Sequence, residues 1–350
     1  MGTEAARTDR EGEGLLPVDD EARPRTAATE PARVLGGAPA GVRRILVTGA
    51  HRSGTAWAGR MLARAPGVLY LHEPFNLDRP PSRGVCDIRP EHWFAHVTAE
   101  NEAAYRRAFE NTIGLRYDWL AAARSVTSVR DARRLWAERR LFRRHRRAGS
   151  VALVKDPLAF FSAEWLAARF GVSVVVLVRH PAAFASSLRL LNWSHPFSHF
   201  LAQPRLMETL LRPFAAEIEA FAAVERPVLD QAVLLWRLIY HTALEYRRRH
   251  PDWTFVRHED LSRDPAGGFR ALFARLGLAF TEEARWAVEA YSGPHNPAQP
   301  AVHIGSDAAL RRDSAANLSN WRRRLTAAEV ARVRDGVGPL ADHFYGETEW

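Results

Sequence analysis

Four charged residues stand where chemistry on an anion could be done: Arg52, Glu73, Lys155 and Arg179. Arg52 lies between Gly49 and Gly54, in the stretch Arg44-Ile-Leu-Val-Thr-Gly-Ala-His-Arg-Ser-Gly-Thr-Ala-Trp57. An apolar run, a glycine-bracketed turn and a helical pattern from Thr55 together form an anion cradle. The first N–H groups of the helix lack partners and converge, and the helix dipole favours negative charge there. The glycine spacing is that of the nucleotide P-loop, G-x-x-x-x-G-K-[ST]. Here Thr55 stands in place of the phosphate lysine, Ala56 in place of the magnesium-binding hydroxyl, and the cation has moved to Arg52. Such a loop suits phosphate chemistry without a metal; the glycines could equally serve a structural turn.

Lys155 is the only lysine among 49 basic residues. A compact ammonium at one place, with guanidiniums everywhere else, suits a point charge at a reacting atom. Arg179 begins a proline-initiated helix, with Ser186 and Ser187 two turns in. A second cation with its own hydroxyls implies a ligand with phosphates at two places. Trp57 is open to two readings, a platform for a base or a core side chain.

The elements that must position these residues can be read from apolar runs and turn signals. Strands are expected at 45–47, 67–71, 151–154, 172–178 and 253–256, and a helix from Thr55 to about Ala65. Asp156-Pro157 reads as an N-cap and first helical residue. Residues 75–90 and 192–203 read as loops, 91–148 as helical with weak periodicity, and 204–222 and 228–249 as helices. A loop at 292–318 leads to a last helix at 326–342. The arginine-dense helix at 133–147 is either a solvated face or a substrate-contacting surface. Strands alternating with helices imply an α/β fold, a P-loop-like parallel sheet of about five strands with helical insertions at 75–148 and 188–250 forming a lid. In such sheets ligands bind beyond the carboxyl ends of the strands. Arg52, Glu73, Lys155 and Arg179 each come just after one such end, so they are expected to face one crevice.

Composition sets the outer bounds. The chain has 350 residues and a net charge of +9. Residues 1–42 carry eight acids and five arginines and read as a disordered tail, leaving 43–350 as a single domain. One cysteine, Cys86, allows no intrachain disulfide and suggests a reducing, cytoplasmic setting. No run of about 18 apolar residues is present, so no transmembrane segment is expected. A basic body attracts anions, but no nucleic-acid module is recognisable.

Taken together the motifs resemble those of sulfotransferases that use 3′-phosphoadenosine 5′-phosphosulfate (PAPS). Arg52-Ser53-Gly54-Thr55-Ala56-Trp57 is similar to their 5′-phosphosulfate loop, R/K-x-G-T-T-x-W, with Ala56 replacing the second threonine. The resemblance assigns Trp57 to the adenine, and Arg179 and Ser187 to the 3′-phosphate. Lys155-Asp-Pro and Glu73 resemble the tyrosylprotein and bacterial branch, in which a glutamate at this spacing is the catalytic base. His258-Glu-Asp-Leu-Ser-Arg-Asp-Pro265 is similar to the family's Y-E-D-L-x-x-D-P segment. Asn317-Leu-Ser-Asn-Trp-Arg322 resembles its C-terminal cofactor stretch, which brings Arg311 or Arg312 to the 3′-phosphate; Asn320 stands where relatives often carry a basic residue. The implied reaction is metal-free, in-line sulfuryl transfer, with Glu73 as base and Lys155 and Arg52 stabilising charge. His72, expected to point the other way, His92 and His96 are the runner-up bases. The acceptor, a small molecule, glycan or lipid, would be shaped by Trp93, Phe94, Tyr105, Tyr117, Trp119, Trp193, Phe197 and Phe200. The competing readings are a kinase-like phosphotransferase and a non-catalytic binder of anionic polymers.

Overall fold

The computed structural model describes residues 44–78, 84–85, 87–299 and 310–350. The proposed tail at 1–42 and Cys86 lie outside the described residues. Five strands form one parallel sheet: β1 (Ile45–Gly49), β2 (Val68–His72), β3 (Val151–Lys155), β4 (Ser173–Val178) and β5 (Thr254–Arg257), in the order β2-β3-β1-β4-β5.

Both faces of a parallel sheet are covered by its crossover helices, which is why these strands are apolar runs. Alternate residues serve different layers. Leu46, Leu71, Val154 and Val176 join a core with the long helix Val228–Arg249 and the helix Pro181–Leu191. Ile45, Val47, Leu153 and Val175 join a second core with the helices Thr55–Leu62 and Pro265–Arg275. The chain runs from β1 to the β2 edge and returns past β1 to β4, so the carboxyl ends of β1, β3 and β4 open onto a switch point.

Several expected elements differ from those observed. The first helix ends at Leu62. The stretch 91–148 contains three α-helices, Arg106–Ile113, Trp119–Ala123 and Val129–Arg147, separated by turns. The expected helix at 204–222 is broken into Pro204–Glu208, a 3₁₀ turn at Arg212–Phe214 and Ala215–Ala223. Pro213 has no N–H for the helical ladder and its ring crowds the preceding turn. The loop at 192–203 contains the helical turn Ser198–Leu201 and the described part of 292–318 contains Ser314–Asn317; residues 300–309 of that expected loop lie outside the described residues. Among the described residues no helix is long and apolar enough to cross a membrane.

Candidate active site

A cavity of about 670 Å3 lies at the switch point. Arg52, Glu73, Lys155 and Arg179 all line it.

The loop between β1 and the first helix sets one wall. Arg52 and Gly54 both take left-handed backbone, φ 63° and 87°. At Gly54 a Cβ would come within 2.5 Å of His258 Nδ1, so the glycine serves both the turn and the close approach of a neighbour. Gly54 caps the helix with no side chain, leaving the first helical N–H groups for another acceptor. Arg52 Nε donates to Ser187 Oγ at 3.1 Å, and the Arg179 guanidinium donates to the Arg52 carbonyl. Arg312 and Arg324 line the same cavity. Burial, then Arg312, Arg179 and Arg324, lowers the Arg52 pKa to about 9. Burial, then Arg179 and Arg324, lowers that of Arg312 to about 10. Both remain charged at neutral pH, so four mutually repelling guanidiniums share one wall. An anion with several charges would relieve that repulsion.

A second charged pair stands beside this cluster. Glu73 comes directly after β2 and adopts left-handed backbone, φ 41°, unusual for a residue with a Cβ. Its N–H donates to the Lys155 carbonyl at 2.9 Å. Two residues on, Phe75 N–H donates to the buried Asp156 carboxylate at 2.6 Å. Asp156 also accepts from Leu158 N–H at 2.9 Å, capping the turn Pro157–Ser162. This stitching turns the Glu73 side chain onto Lys155, with which it forms an ion pair. Asn76 Nδ2 donates to its other oxygen at 2.5 Å. Burial alone would raise the Glu73 pKa; the Lys155 ammonium, aided by His72 and Asn76, outweighs it and holds the carboxyl at about 2. For Lys155 the order is the same: burial lowers its pKa, but Glu73 and its neighbours raise it overall. Burial, then the charge of Glu73, pushes Asp156 up to about 7.

His72 also lines the cavity, contrary to the alternation expected of the strand. The left-handed residue at 73 ends that alternation, so neighbours 72 and 73 reach the same space. His72 Nδ1 is 3.1 Å from Tyr70 Oη, and its Nε2 is 3.7 Å from Glu73. His92 faces His199 at 5.5 Å, His96 is half-buried near Gln203, and neither lines the cavity.

The remaining expected residues divide. Thr55, Ala56, Trp57 and Ser187 line the cavity. Trp57 is also packed edge-on against Phe269 at 5.0 Å and His258 at 5.7 Å. Ser53 turns away, its hydroxyl 2.9 Å from Tyr240 Oη. Arg311 lies over the Tyr291 ring at 5.1 Å and does not line the cavity, whereas Arg312 does. Successive residues of an irregular, extended stretch point to opposite sides. Asn320 is buried, donating to the Ala298 carbonyl and to Asn317, which itself lines the cavity. Of the aromatics, Trp93, Phe94 and Trp193 line it. Tyr105, Tyr117, Phe197 and Phe200 pack in or against the core, and Trp119 is exposed.

Arg324, His51 and Tyr240 did not stand out in the sequence. Arg324 comes soon after the Asn317–Arg322 segment, and its arginine run was the available signal. Tyr240 carried none: it sits mid-helix, a buried residue in an apolar period. Its hydroxyl accepts from Arg179 N–H at 3.0 Å and donates to the Leu177 carbonyl at 3.3 Å, besides meeting Ser53. One phenol thus ties the glycine loop to the end of β4. Tyr240→Phe should cost about 1–3 kcal/mol of stability by stranding buried polar groups, measured by denaturant titration.

Among the described residues, no group of three or more His, Cys, Asp or Glu side chains is placed to hold a metal. No curated protein matches the chain. Solved structures similar to it include the sulfotransferase domain of the Synechococcus PCC 7002 olefin synthase, at 16% identity over 89% of this chain and 98% of that one, TM-score 0.45. The sulfotransferase domain from the curacin biosynthetic pathway is 13% identical over 83% and 95%, TM-score 0.41. Sulfotransferase STF9 from Mycobacterium avium is 16% identical over 87% and 77%, TM-score 0.42. The sequence match is the stronger: a family model described as the sulfotransferase family matches residues 44–282, a span that holds all five strands, the glycine loop, Glu73, Lys155 and Arg179. This chain belongs to the sulfotransferase family.

Proposed function

We propose that the protein moves a sulfuryl group from 3′-phosphoadenosine 5′-phosphosulfate to a hydroxyl or amine of an acceptor. The observation that carries this reading is that the four-guanidinium wall and the Glu73–Lys155 pair share one cavity. The residues fit the donor. Arg179 Nε is buried without a partner, and the crowded guanidiniums favour more than one phosphate. Arg52 and the N–H groups after Gly54 would hold the 5′ end; Arg179, Ser187 and Arg312 would hold the 3′-phosphate. Bound there, the donor supplies the sulfuryl group and a stable phosphate leaving group. Lys155 and Arg52 stabilise negative charge that develops between donor and acceptor. Glu73 takes the acceptor proton, for which it must first part from Lys155; an anion beside the ammonium loosens that hold.

Every cation lining the cavity comes from the loop, the first helix, the ends of β3 and β4, or the C-terminal segment. The wall formed by Trp93, Phe94, Leu188, Trp193 and His195 contributes no positive charge of its own, and the Arg52 guanidinium meets it 5.7 Å from the Trp193 ring. Burial lowers His51 to a pKa of about 4 and His195 to about 3, so both are neutral at pH 7. That wall suits an acceptor with an uncharged, apolar body, a small molecule or lipid rather than an acidic glycan. From the segments 75–148 and 188–250, Trp93, Phe94, Leu188, Trp193 and His195 would then form the acceptor-facing part of a single 43–350 domain.

A calorimetric titration tests the donor assignment. Adenosine 3′,5′-bisphosphate should bind more tightly than ADP, with the same affinity in magnesium and in EDTA. Preferential, magnesium-dependent ADP binding would replace this reading with a kinase-like one.

A further inference from the structure

The arginine helix Val129–Arg147 has no part in the chemistry above. It carries nine arginines against Asp131 and Glu138, a net +7 in 19 residues, in a chain whose total is +9. All nine arginines are exposed. Residues 1–42 carry −3, so residues 43–350 carry +12, and more than half of that excess is gathered on one rod. Val129, Arg133, Trp136, Arg140, Arg143 and Arg147 recur at helical spacing and form one solvent-facing stripe.

That stripe is also apolar where water would not favour it. Val129 is 71% exposed and Trp136 62%. The neighbouring helix Trp119–Ala123 presents Trp119 at 46% and Leu120 at 54% exposure. Arg139 lies 5.3 Å from the Trp119 ring and Arg140 5.6 Å from Trp136. The inner face is secured independently, by fully buried Phe142 against Tyr117 and by Glu138, which accepts from Tyr117 and pairs with Arg134. Arg143, Arg146 and Arg147 make no ion pair with any described residue, and with Arg139, Tyr117 and Trp119 they line a surface cleft. The helix ends at Arg147, shortly before β3 begins at Val151, so these arginines lie near the amino ends of the strands, away from the cavity.

Guanidiniums bind phosphates as planar forks, and indoles settle at the boundary between water and acyl chains. Arginine with tryptophan also suits single-stranded nucleic acid, but Leu120 and Val129 have no base to stack on and do have acyl chains to meet. A free phosphate needs none of the four apolar side chains. We propose that this helix, with Trp119 and Leu120, docks the protein on an anionic lipid surface. The proposal does not depend on which donor the cavity takes.

Sedimentation of the full chain with lipid vesicles tests it. The protein should partition onto phosphatidylcholine vesicles containing phosphatidylserine and not onto phosphatidylcholine alone, and raised salt should weaken the binding. Replacing Arg139, Arg143, Arg146 and Arg147 together with glutamine should lower partitioning by about a hundredfold or more, at roughly fivefold per charge. Trp119→Ser with Trp136→Ser should lower it by about tenfold while leaving the salt dependence unchanged. The wild-type salt series and the tryptophan pair decide the matter even if the four-arginine variant loses its helix, which circular dichroism reports. Three results would each overturn the proposal: no preference for the anionic vesicles, tryptophan variants that partition like wild type, or release from vesicles by inorganic phosphate or a single-stranded oligonucleotide at equal charge.

Discussion

Glu73→Gln is expected to lower turnover by about 10²–10⁴-fold, the usual contribution of a positioned base, while adenosine 3′,5′-bisphosphate binds as in wild type. Glutamine keeps the size of the side chain and can still accept one hydrogen bond from Lys155. It has no carboxylate to receive a proton. The donor contacts proposed above are Arg52, Ser187, Arg179 and Arg312, whereas the Glu73 side chain bonds Lys155 and Asn76. The pH profile separates a base from a structural ion pair. In the free enzyme the carboxyl sits at about 2 because Lys155 holds it ionised. The kcat/KM profile should therefore show no loss attributable to Glu73 between pH 7 and about 4. The kcat profile, measured with donor bound, should have its acid limb at higher pH, because an anion near Lys155 weakens the pair. Unchanged turnover in the glutamine variant would remove Glu73 from the chemistry and turn attention to His72, which shares the cavity.

Lys155→Met should cost both activity and stability. Loss of a preorganised charge at the reacting centre lowers kcat by about 10²–10³-fold. Loss of one partner from a buried pair leaves the Glu73 carboxylate uncompensated, a cost of about 3–5 kcal/mol near neutral pH. The two proteins should respond to acid in opposite directions. In wild type the Glu73 pKa is depressed from 4.5 to about 2, so the pair contributes fully above pH 4.5 and its contribution is lost as pH falls through 2. Without Lys155, burial raises the carboxyl above its unfolded value. The variant should then gain stability as pH falls through that raised pKa. Urea titrations from pH 8 to about pH 3 read the difference; parallel curves for the two proteins would show that the pair does not hold the carboxylate.

Much of the architecture was legible because its signals are local. Apolar runs mark β1 through β4, and Gly49, Gly54, Asp156-Pro157 and Pro181 mark the turns that end them. A parallel sheet places the residues just past each strand on one rim, so Arg52, Glu73, Lys155 and Arg179 could be assigned to one crevice from order along the chain. The expected 204–222 helix is an exception of the same local kind, because Pro213 within it was a signal for the break.

Sequence alone determined which residues could carry charge to the rim, and that one ammonium stands among the guanidiniums. Tertiary structure decided which of them meet. The left-handed turn at Glu73 brings His72 into the same cavity, and it is held by bonds to Lys155 and Asp156, some 80 residues away. The choice of Arg312 over Arg311, the arrival of Arg324, and the phenol of Tyr240 between loop and strand likewise depend on how remote helices pack against the sheet. Backbone preference acts over a few neighbouring residues, whereas the partners of a buried polar group are chosen by the packing of elements far apart in the chain.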